Sequence, residues 1–549
     1  MKNIFILTLA VCLSVRGFSQ TLPVGNSYAG ETARIRQDLG ISDSLSSFSI
    51  RPISISQDSS LMSLFAGKNL LSNHSSSSSI QILPINWLNE YNFNRPYGYN
   101  NGSLYPNRGF QTRISAGIFI KSGIFRVQLS PELVYAQNRD FATFADVQGG
   151  NNNPQLLNAY FGIINGIDAP ERFGNGPITH LYPGQSKITI NIANIEAGVS
   201  TENIWWGPGI QNSIMMSNSA PGFLHWTLNS VHPAKTVIGS FEWQIIGGIL
   251  RQSGYLPTDT AKLIYGHGLL IPKPVTTRYI SAFTVNWHPK WIDGLFLGFT
   301  EYDYLNRDST YHDKNIIKKL LPVFVGSSLQ ANNISANHNG DAQDFAFALN
   351  MRQVLTKYNA EIYVEWARND RAGSINDFLQ EPEHSSAYTV GGRRLFQLAK
   401  DKFLQVKMEL THLQIPPTYL VRMGAPTWYV HLQPPQDGYT NDGRYLGAGI
   451  GPGSNSLMGD ISYLNGSSSY GIMLERLVHD NDLYYYAFSG TGIYNQHWVD
   501  LCSSFYANLK IKNYVISAEL TPVYSLNYEY QNGNSYNLHA RVNITYYFN

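Results

Sequence analysis

Cysteine is nearly absent, with two in 549 residues. Cys12 lies in an apolar leader, so processing leaves Cys502 alone and no disulfide framework can form within the chain. Charge is scarce as well. Asp, Glu, Lys and Arg make up 14% of the residues, against about 25% in a typical soluble protein. Neither sign dominates, because 39 basic side chains stand against 38 acidic ones. That balance excludes nucleic acid or a strongly anionic partner as an expectation. It suits a neutral polysaccharide, or one whose charge is met locally. The chain also lacks any apolar run of the ~18 residues that a spanning helix needs, once the first 20 residues are set aside. An exported chain without such a run is either soluble or a closed barrel, since only barrels otherwise satisfy backbone polar groups in lipid.

Catalytic and metal signatures are missing too. The 14 histidines show no His-x-His or His-Glu-x-x-His spacing, so no metal ligand set is expected. No Gly-x-Ser-x-Gly elbow occurs. Tyr265-Gly266-His267-Gly268 has no following Lys-Ser/Thr to make a phosphate loop. Neither a cofactor nor an enzyme is expected. Glu361 and Glu365 share one face of a strand with Tyr363 between them. Four strand residues span ~13 Å, beyond the ~5–9.5 Å of a glycosidase carboxylate pair. They are expected to be lumen charges paired with arginines on neighbouring strands.

What is abundant is aromatic and turn-forming. Aromatics reach 13%, with 35 tyrosines and 47 glycines. Lys2 and the apolar residues 4–15 predict a signal peptide over 1–20, cut near Ser19 or Gln20. Residues 21–79 read as a periplasmic helical segment and linker. Tyr28, Thr32, Ile35 and Leu39 would share the apolar face of its helix, Gly40 would end it, and the serine run 75–79 would be flexible. From 80 to 549 the chain reads as strands. Phe125, Val127, Leu129 and Leu133 alternate with Arg126, Gln128, Ser130 and Glu132. Leu404, Val406, Met408 and Leu410 alternate with Gln405, Lys407, Glu409 and Thr411. Around Tyr514–Leu520 the alternation has one exception, Val515. Period-two patterning with charge on the second face predicts apolar-out, polar-in barrel strands. After Asn532-Gly533, residues 537–548 alternate to an aromatic end, like the last strand read by barrel-insertion machinery. At ~10 residues per strand, roughly 16–20 strands fit. The intervening stretches 138–179, 303–342 (with a helix candidate over 314–321) and 414–465 are long, as extracellular loops are.

One stretch breaks the pattern. Trp205 and Trp206 are followed by Gly207-Pro208-Gly209, which ends a strand. Adjacent strand residues point to opposite faces, so the two rings should divide, one towards lipid or an aromatic girdle and one towards the interior. Trp205-Trp206-Gly207-Pro208-Gly209 with Ser217-Asn218-Ser219-Ala220-Pro221 resembles the signature of the capsule-assembly Wzi family of outer-membrane β-barrels. So do Gly438-Tyr439-Thr440-Asn441-Asp442-Gly443-Arg444-Tyr445-Leu446-Gly447 with Gly451-Pro452-Gly453-Ser454-Asn455-Ser456, and, more weakly, residues 360–370.

The resemblance implies an all-β, antiparallel transmembrane barrel of about 18 strands. It also implies a lectin-like, non-catalytic role, holding capsular or other exported polysaccharide at the cell surface. Trp205, Trp206, Tyr439, Asn441 and Arg444 are the candidate contacts or site scaffold. The expected partners are polysaccharide, outer-membrane lipid and the insertion machinery, with the chain monomeric in the outer membrane. A porin or transporter is the alternative that polar lumen faces also permit, and a glycan hydrolase is the third.

Overall fold

The computed structural model describes residues 20–548 except 73–77, 151–152, 265–266, 308–319, 322, 324–343, 370–374, 417–426, 433–435 and 489–490. Most of the serine run and almost all of the 314–321 helix candidate lie outside the described residues. The architecture is a closed antiparallel barrel of 18 strands. In chain order the wall runs β1 (Ser78–Asn92), β2 (Gly109–Ser122), β3 (Phe125–Leu129 and Glu132–Ala136), β4 (Ile178–Tyr182 and Lys187–Ile192), β5 (Ile195–Ser200) and β6 (His225–Ser230). It continues through β7 (Gly239–Leu250), β8 (Arg278–Pro289), β9 (Leu295–Asn306), β10 (Asp344–Leu355), β11 (Ala360–Asn369) and β12 (Ser386–Ala399). It ends with β13 (Lys402–His412), β14 (Asn455–Asn465), β15 (Ser468–Val478), β16 (Val499–Ile511), β17 (Tyr514–Leu526) and β18 (Asn534–Tyr546). Each strand pairs with the next, and β18 closes on β1 with Tyr546 opposite Ile85 and His539 opposite Asn92.

The expected alternation is the wall. Phe125 is 54% exposed and Met408 59%, whereas Arg126, Gln128, Gln405 and Glu409 are buried in the lumen. Proline has no N–H to give a ladder, and Pro131 lies in the break between the two halves of β3. Val515, the odd residue of its strand, points inward with Phe65, Ala29 and Tyr547 into a small apolar cluster. Tight turns such as 123–124, 466–467 and 512–513 lie at one end, which marks it as periplasmic. The long connections lie at the other end.

The lumen is occupied. From the periplasmic end, residues 20–66 wind into it and carry helix α1 (Ser27–Asp38). Asn26 caps α1 by accepting the Ala29 N–H at 3.1 Å, and Gly40 follows its end with φ +66°. The docking face is not the apolar stripe. Ala29, Ala33, Arg34, Gln37 and Asp38 are buried, while Tyr28, Thr32, Ile35 and Leu39 border an internal chamber. The reason is the host surface. A helix docking into a charged lumen turns its charges towards the wall, inverting the usual apolar-inward rule.

From the extracellular end, residues 201–224 and parts of 427–451 fill the barrel as one apolar core. Trp206, Ile214, Met215, Met216, Trp428, Tyr429 and Tyr439 pack together there. The wall makes room with small lumen-facing residues, Ala282, Ala346, Ala348, Ala367 and Ala387. Above this plug, helices Pro154–Ile164 and Asn481–Phe488 pack through Leu156, Tyr160, Phe161, Leu483 and Phe488. Phe144 stacks on Tyr160 at 3.8 Å. This cap turns Tyr486 (62% exposed) and Tyr494 (79%) outward.

Candidate functional site

After Ser200 the chain leaves the wall. Trp205–Trp206 therefore do not sit in a membrane strand, and neither ring faces lipid, contrary to the expectation for one of them. They form a two-residue ladder inside the lumen with Ile50–Arg51 of the N-terminal segment. The rings do divide between two faces. Trp206 is fully buried in the plug core, with its indole N–H donating to Gln244 Oε1 at 2.9 Å. Trp205 is turned to the chamber, where the Arg51 guanidinium lies 4.3 Å from its ring centroid.

The turn that follows is gripped from two sides. Arg34 of α1 donates to the Pro208 carbonyl at 2.7 Å. Arg51 donates to the carbonyls of Gly209 at 2.8 Å and Gly207 at 3.3 Å. The next backbone N–H groups meet carboxylates from the wall. Glu409 accepts from Ile210 at 2.7 Å, Gln211 at 3.1 Å and Asn212 at 2.7 Å. It also accepts the Tyr363 hydroxyl at 2.7 Å. Glu365 accepts from Ile214 at 3.2 Å. Buried backbone groups without partners are costly, and here side chains on fixed strands supply those partners. Gly207 is required on two counts. Its φ is +150°, and a Cβ there would lie 2.8 Å from Glu365 Oε2.

The remaining motif residues tie loops together. Asn218 Nδ2 donates to the Asn100 carbonyl at 2.7 Å, and the Asn218 carbonyl accepts from Gly102 at 2.6 Å. Ser217 N–H donates to the Leu446 carbonyl at 2.7 Å. Tyr439 stacks on Tyr302 of β9 with centroids 4.0 Å apart. Asn441 accepts the Arg251 N–H at 3.1 Å and donates to the Pro221 carbonyl at 3.2 Å. Arg444 donates to the carbonyls of Ser103 and Leu104 at 2.9 and 2.8 Å and to the Tyr182 hydroxyl at 2.9 Å. Trp205, Trp206, Tyr439, Asn441 and Arg444 are each 4% exposed or less. They stand at the crossings of the loops inside the barrel, and none presents its side chain at the outer surface.

Glu361 and Glu365 both face the lumen and are buried, but their environments differ. Glu361 meets Arg34 and Arg352, each at 2.7 Å, and Arg393 at 3.2 Å. Two of these lie on the neighbouring strands β10 and β12. The third comes from α1, and nothing in the strand periodicity announces it. Glu365 takes backbone N–H groups instead of an arginine. Asp38 joins the cluster through Arg393 at 2.6 Å, and Glu31 through Arg393 at 3.1 Å and Lys407 at 3.6 Å. Burial raises the Glu31 pKa, but Lys407 and Arg393 outweigh it and bring the group down to about 2. α1 is thus held by charge. Among the described residues no group of three His, Cys, Asp or Glu side chains is placed to hold a metal ion.

The profile of the capsule assembly protein Wzi family matches residues 97–484. Among solved structures, the chain superposes on Wzi of Escherichia coli, described as a carbohydrate-binding β-barrel of the outer membrane involved in group 1 capsule assembly. The TM-score is 0.59 at 11% identity, covering 96% of this chain and 99% of that one. OccAB2 of Acinetobacter baumannii gives 0.41 at 11% identity over 85% and 97% of the two chains. OccK7 of Pseudomonas aeruginosa gives 0.38 at 10% over 84% and 98%. These last two superpositions are too loose to bear on fold or function. No curated protein matches the sequence. The matched region contains both plug-forming blocks and most of the wall, and the chain belongs to the capsule assembly protein Wzi family of outer-membrane β-barrels.

Proposed function

We propose that the protein holds exported polysaccharide at the cell surface and performs no chemistry on it. The observation that carries this reading is the filled lumen. Two loops and the N-terminal segment occupy the barrel, and wall carboxylates and guanidiniums are committed to their backbones. Such an interior favours a rigid platform over a solute channel. On that platform the outward tyrosines of the cap offer the flat apolar faces with a polar handle that suit sugar rings. Trp205, Trp206, Tyr439, Asn441 and Arg444 serve as the frame beneath the binding surface. Glu361 and Glu365 are structural: one is saturated by arginines and the other by backbone N–H groups. The reading includes removal of the leader, insertion through the last strand and a monomeric barrel.

Deletion of the gene tests the reading. Total polysaccharide should stay roughly constant while polymer moves from the cell surface to the medium. Polymer trapped inside the cell would point to an export channel, and unchanged surface polymer would remove the link.

A further inference from the structure

Below the plug, the lumen is not solid. A chamber of about 640 Å³ lies between α1, residues 97–100, the Trp205 ring and the lumen faces of β1, β2 and β13–β18. It reaches the periplasmic turns at Asp401 and Gly466–Ser468. Its volume is within the ~300–1,000 Å³ of small-molecule sites.

The lining has a definite chemistry. Seven Arg or Lys side chains border it against four Asp or Glu. Several of these are already matched. Arg34 meets Glu361, Lys407 meets Asp460 and Glu31, and Arg541 meets Glu90 at 3.4 Å. Glu519 sits across the ladder from Arg541. Arg51, Arg113 and Lys510 are different, because none has a carboxylate within ion-pair distance among the described residues; Arg51 is spent on the Gly207 and Gly209 carbonyls, which leaves Arg113 and Lys510. Arg113 is 8% exposed, its Nε has no hydrogen-bond partner, and it donates one long hydrogen bond, to Asn86 Oδ1 at 3.5 Å. Its guanidinium lies beside Gly25 and Gly102. His539, 2% exposed and also on the lining, makes no hydrogen bond through either ring nitrogen; its Nε2 lies 4.0 Å from Glu90. A buried polar group without a partner is costly, and several such groups around one cavity indicate that something else completes them. Among the described residues, the one carboxylate that acts on the Arg113 guanidinium is Glu90, beyond ion-pair distance and already held by Arg541 at 3.4 Å.

The rest of the wall specifies a sugar. Trp205, Tyr97 and Tyr28 bring aromatic rings to the lining, and Ser517 brings a hydroxyl without a hydrogen-bond partner. We propose that this chamber is a periplasm-facing binding site for a short carboxylated oligosaccharide segment, with Arg113 and Lys510 receiving its carboxylates. The glycan class of the ligand rests on the polysaccharide reading above. The site itself is separate from the outer cap.

Calorimetry on the full-length barrel in detergent tests it, with tetragalacturonate as ligand and cellotetraose as its neutral counterpart. Tetragalacturonate should bind at one site and weaken with added salt, and cellotetraose should bind at least tenfold less tightly, by analogy with charged hydrogen bonds. Arg113→Gln and Lys510→Gln should each weaken tetragalacturonate by about tenfold. Lys357→Gln, the same charge change on a turn outside the chamber, should leave it unchanged. Each variant is checked for heat-modifiable migration, and Lys510→Gln, at a half-buried position, keeps the test alive if Arg113→Gln fails to fold. Equal affinity for cellotetraose, wild-type binding in a folded variant, or equally tight binding of monomeric galacturonate overturns the proposal. Failure of the surface-holding reading appears elsewhere, in a deletion strain that keeps its surface polymer.

Discussion

Replacing Glu361 by Gln removes one negative charge and almost no volume. Three guanidiniums share that carboxylate, from Arg34 and Arg352 at 2.7 Å and Arg393 at 3.2 Å, and all four side chains are 3% exposed or less. Without it, Arg393 keeps Asp38 at 2.6 Å and Arg352 keeps the same carboxylate at 3.8 Å. Arg34 keeps only carbonyl acceptors. Exposed ion pairs contribute ~0–1 kcal/mol, but removing one member of a buried pair costs ~3–5 kcal/mol. Arg352 and Arg393 are fixed on the wall, and only Arg34 is free to leave. The cheapest relief is therefore undocking of α1, not opening of the barrel, whose ladder hydrogen bonds are untouched. At ~1.4 kcal/mol per factor of ten, that ~3–5 kcal/mol should raise the undocked fraction by about two to three and a half decades. Tryptic cleavage after Arg34 and Arg36 in detergent-solubilised protein reads that fraction when reclosing is fast. Heat-modifiable migration reads the barrel in the same samples. Adding Arg34→Gln to Glu361→Gln should recover part of the protection, because it removes the stranded charge. An unchanged cleavage rate in Glu361→Gln, or loss of the heat shift together with protection, would refute charge as what docks the helix.

Trp206→Ala opens a cavity in the plug core and should cost ~3–5 kcal/mol, seen as a lower yield of heat-modifiable barrel. Trp205→Ala, beside an existing chamber, loses a cation–π contact worth ~0.5–2 kcal/mol and the indole N–H bond to the Gly207 carbonyl at 3.2 Å, and should lower the yield less than Trp206→Ala; equal losses contradict the division of the two rings. Glu409→Ala strands three consecutive N–H groups at ~1–3 kcal/mol per unsatisfied group. It should produce channel openings in planar bilayers that the parent barrel lacks; identical traces would show that the plug is held some other way. Burial pushes the Asp482 carboxyl up from 3.8 to about 6, against the pull of the Thr427 hydroxyl and the Ile415 N–H. A folded pKa above the unfolded one gives stability that is fully present below the unfolded value and lost as pH rises through about 6. Hydrogen-exchange protection at Ile415, corrected for intrinsic rates, should therefore increase as pH falls through that value, and Asp482→Asn should flatten the profile.

The wall was legible because its rule is local. Lipid outside and a polar interior impose period two on every strand, so Arg126, Glu132, Lys407 and Glu409 declared their side without any knowledge of their partners. Val515 broke the period because it serves the cluster around Phe65 and Tyr547, and that cluster is built from residues hundreds of positions apart. The helix at 27–38 was visible from its periodic residues and from Gly40 at its end, yet the face those residues share is not the one that docks. Apolar periodicity reports a docking face only when the host surface is apolar, and here the host is Glu361, Arg352 and Arg393. The tryptophans show the same limit. Opposite faces followed from adjacency, but the environment of each face depended on the chain leaving the wall after Ser200. The only local sign of that departure was Gly207-Pro208-Gly209.

Lumen charge in a barrel sequence therefore has two meanings that strand patterning does not separate. In a water-filled channel such residues are solvated, and in this barrel they take the place of water for backbone that has entered the lumen. A connecting segment crossing the interior brings N–H and carbonyl groups that need partners. Glu409, Glu365, Arg34 and Arg51 supply them around residues 207–214, and Arg278 donates to the carbonyl of Gly438. The discriminating feature lies in the connections, not in the strands. Residues 201–224 are rich in Gly, Pro, Asn and Ser and residues 427–451 in Gly, which lets their backbones turn tightly enough to present successive polar groups to a single carboxylate or guanidinium. A wall with the same charges and short connections would have backbone too distant to reach them, and its lumen would stay with solvent. The pairing of long turn-rich connections with a charged lumen is thus the physical mark of a self-plugged barrel, and each half of that mark is readable before any coordinates exist.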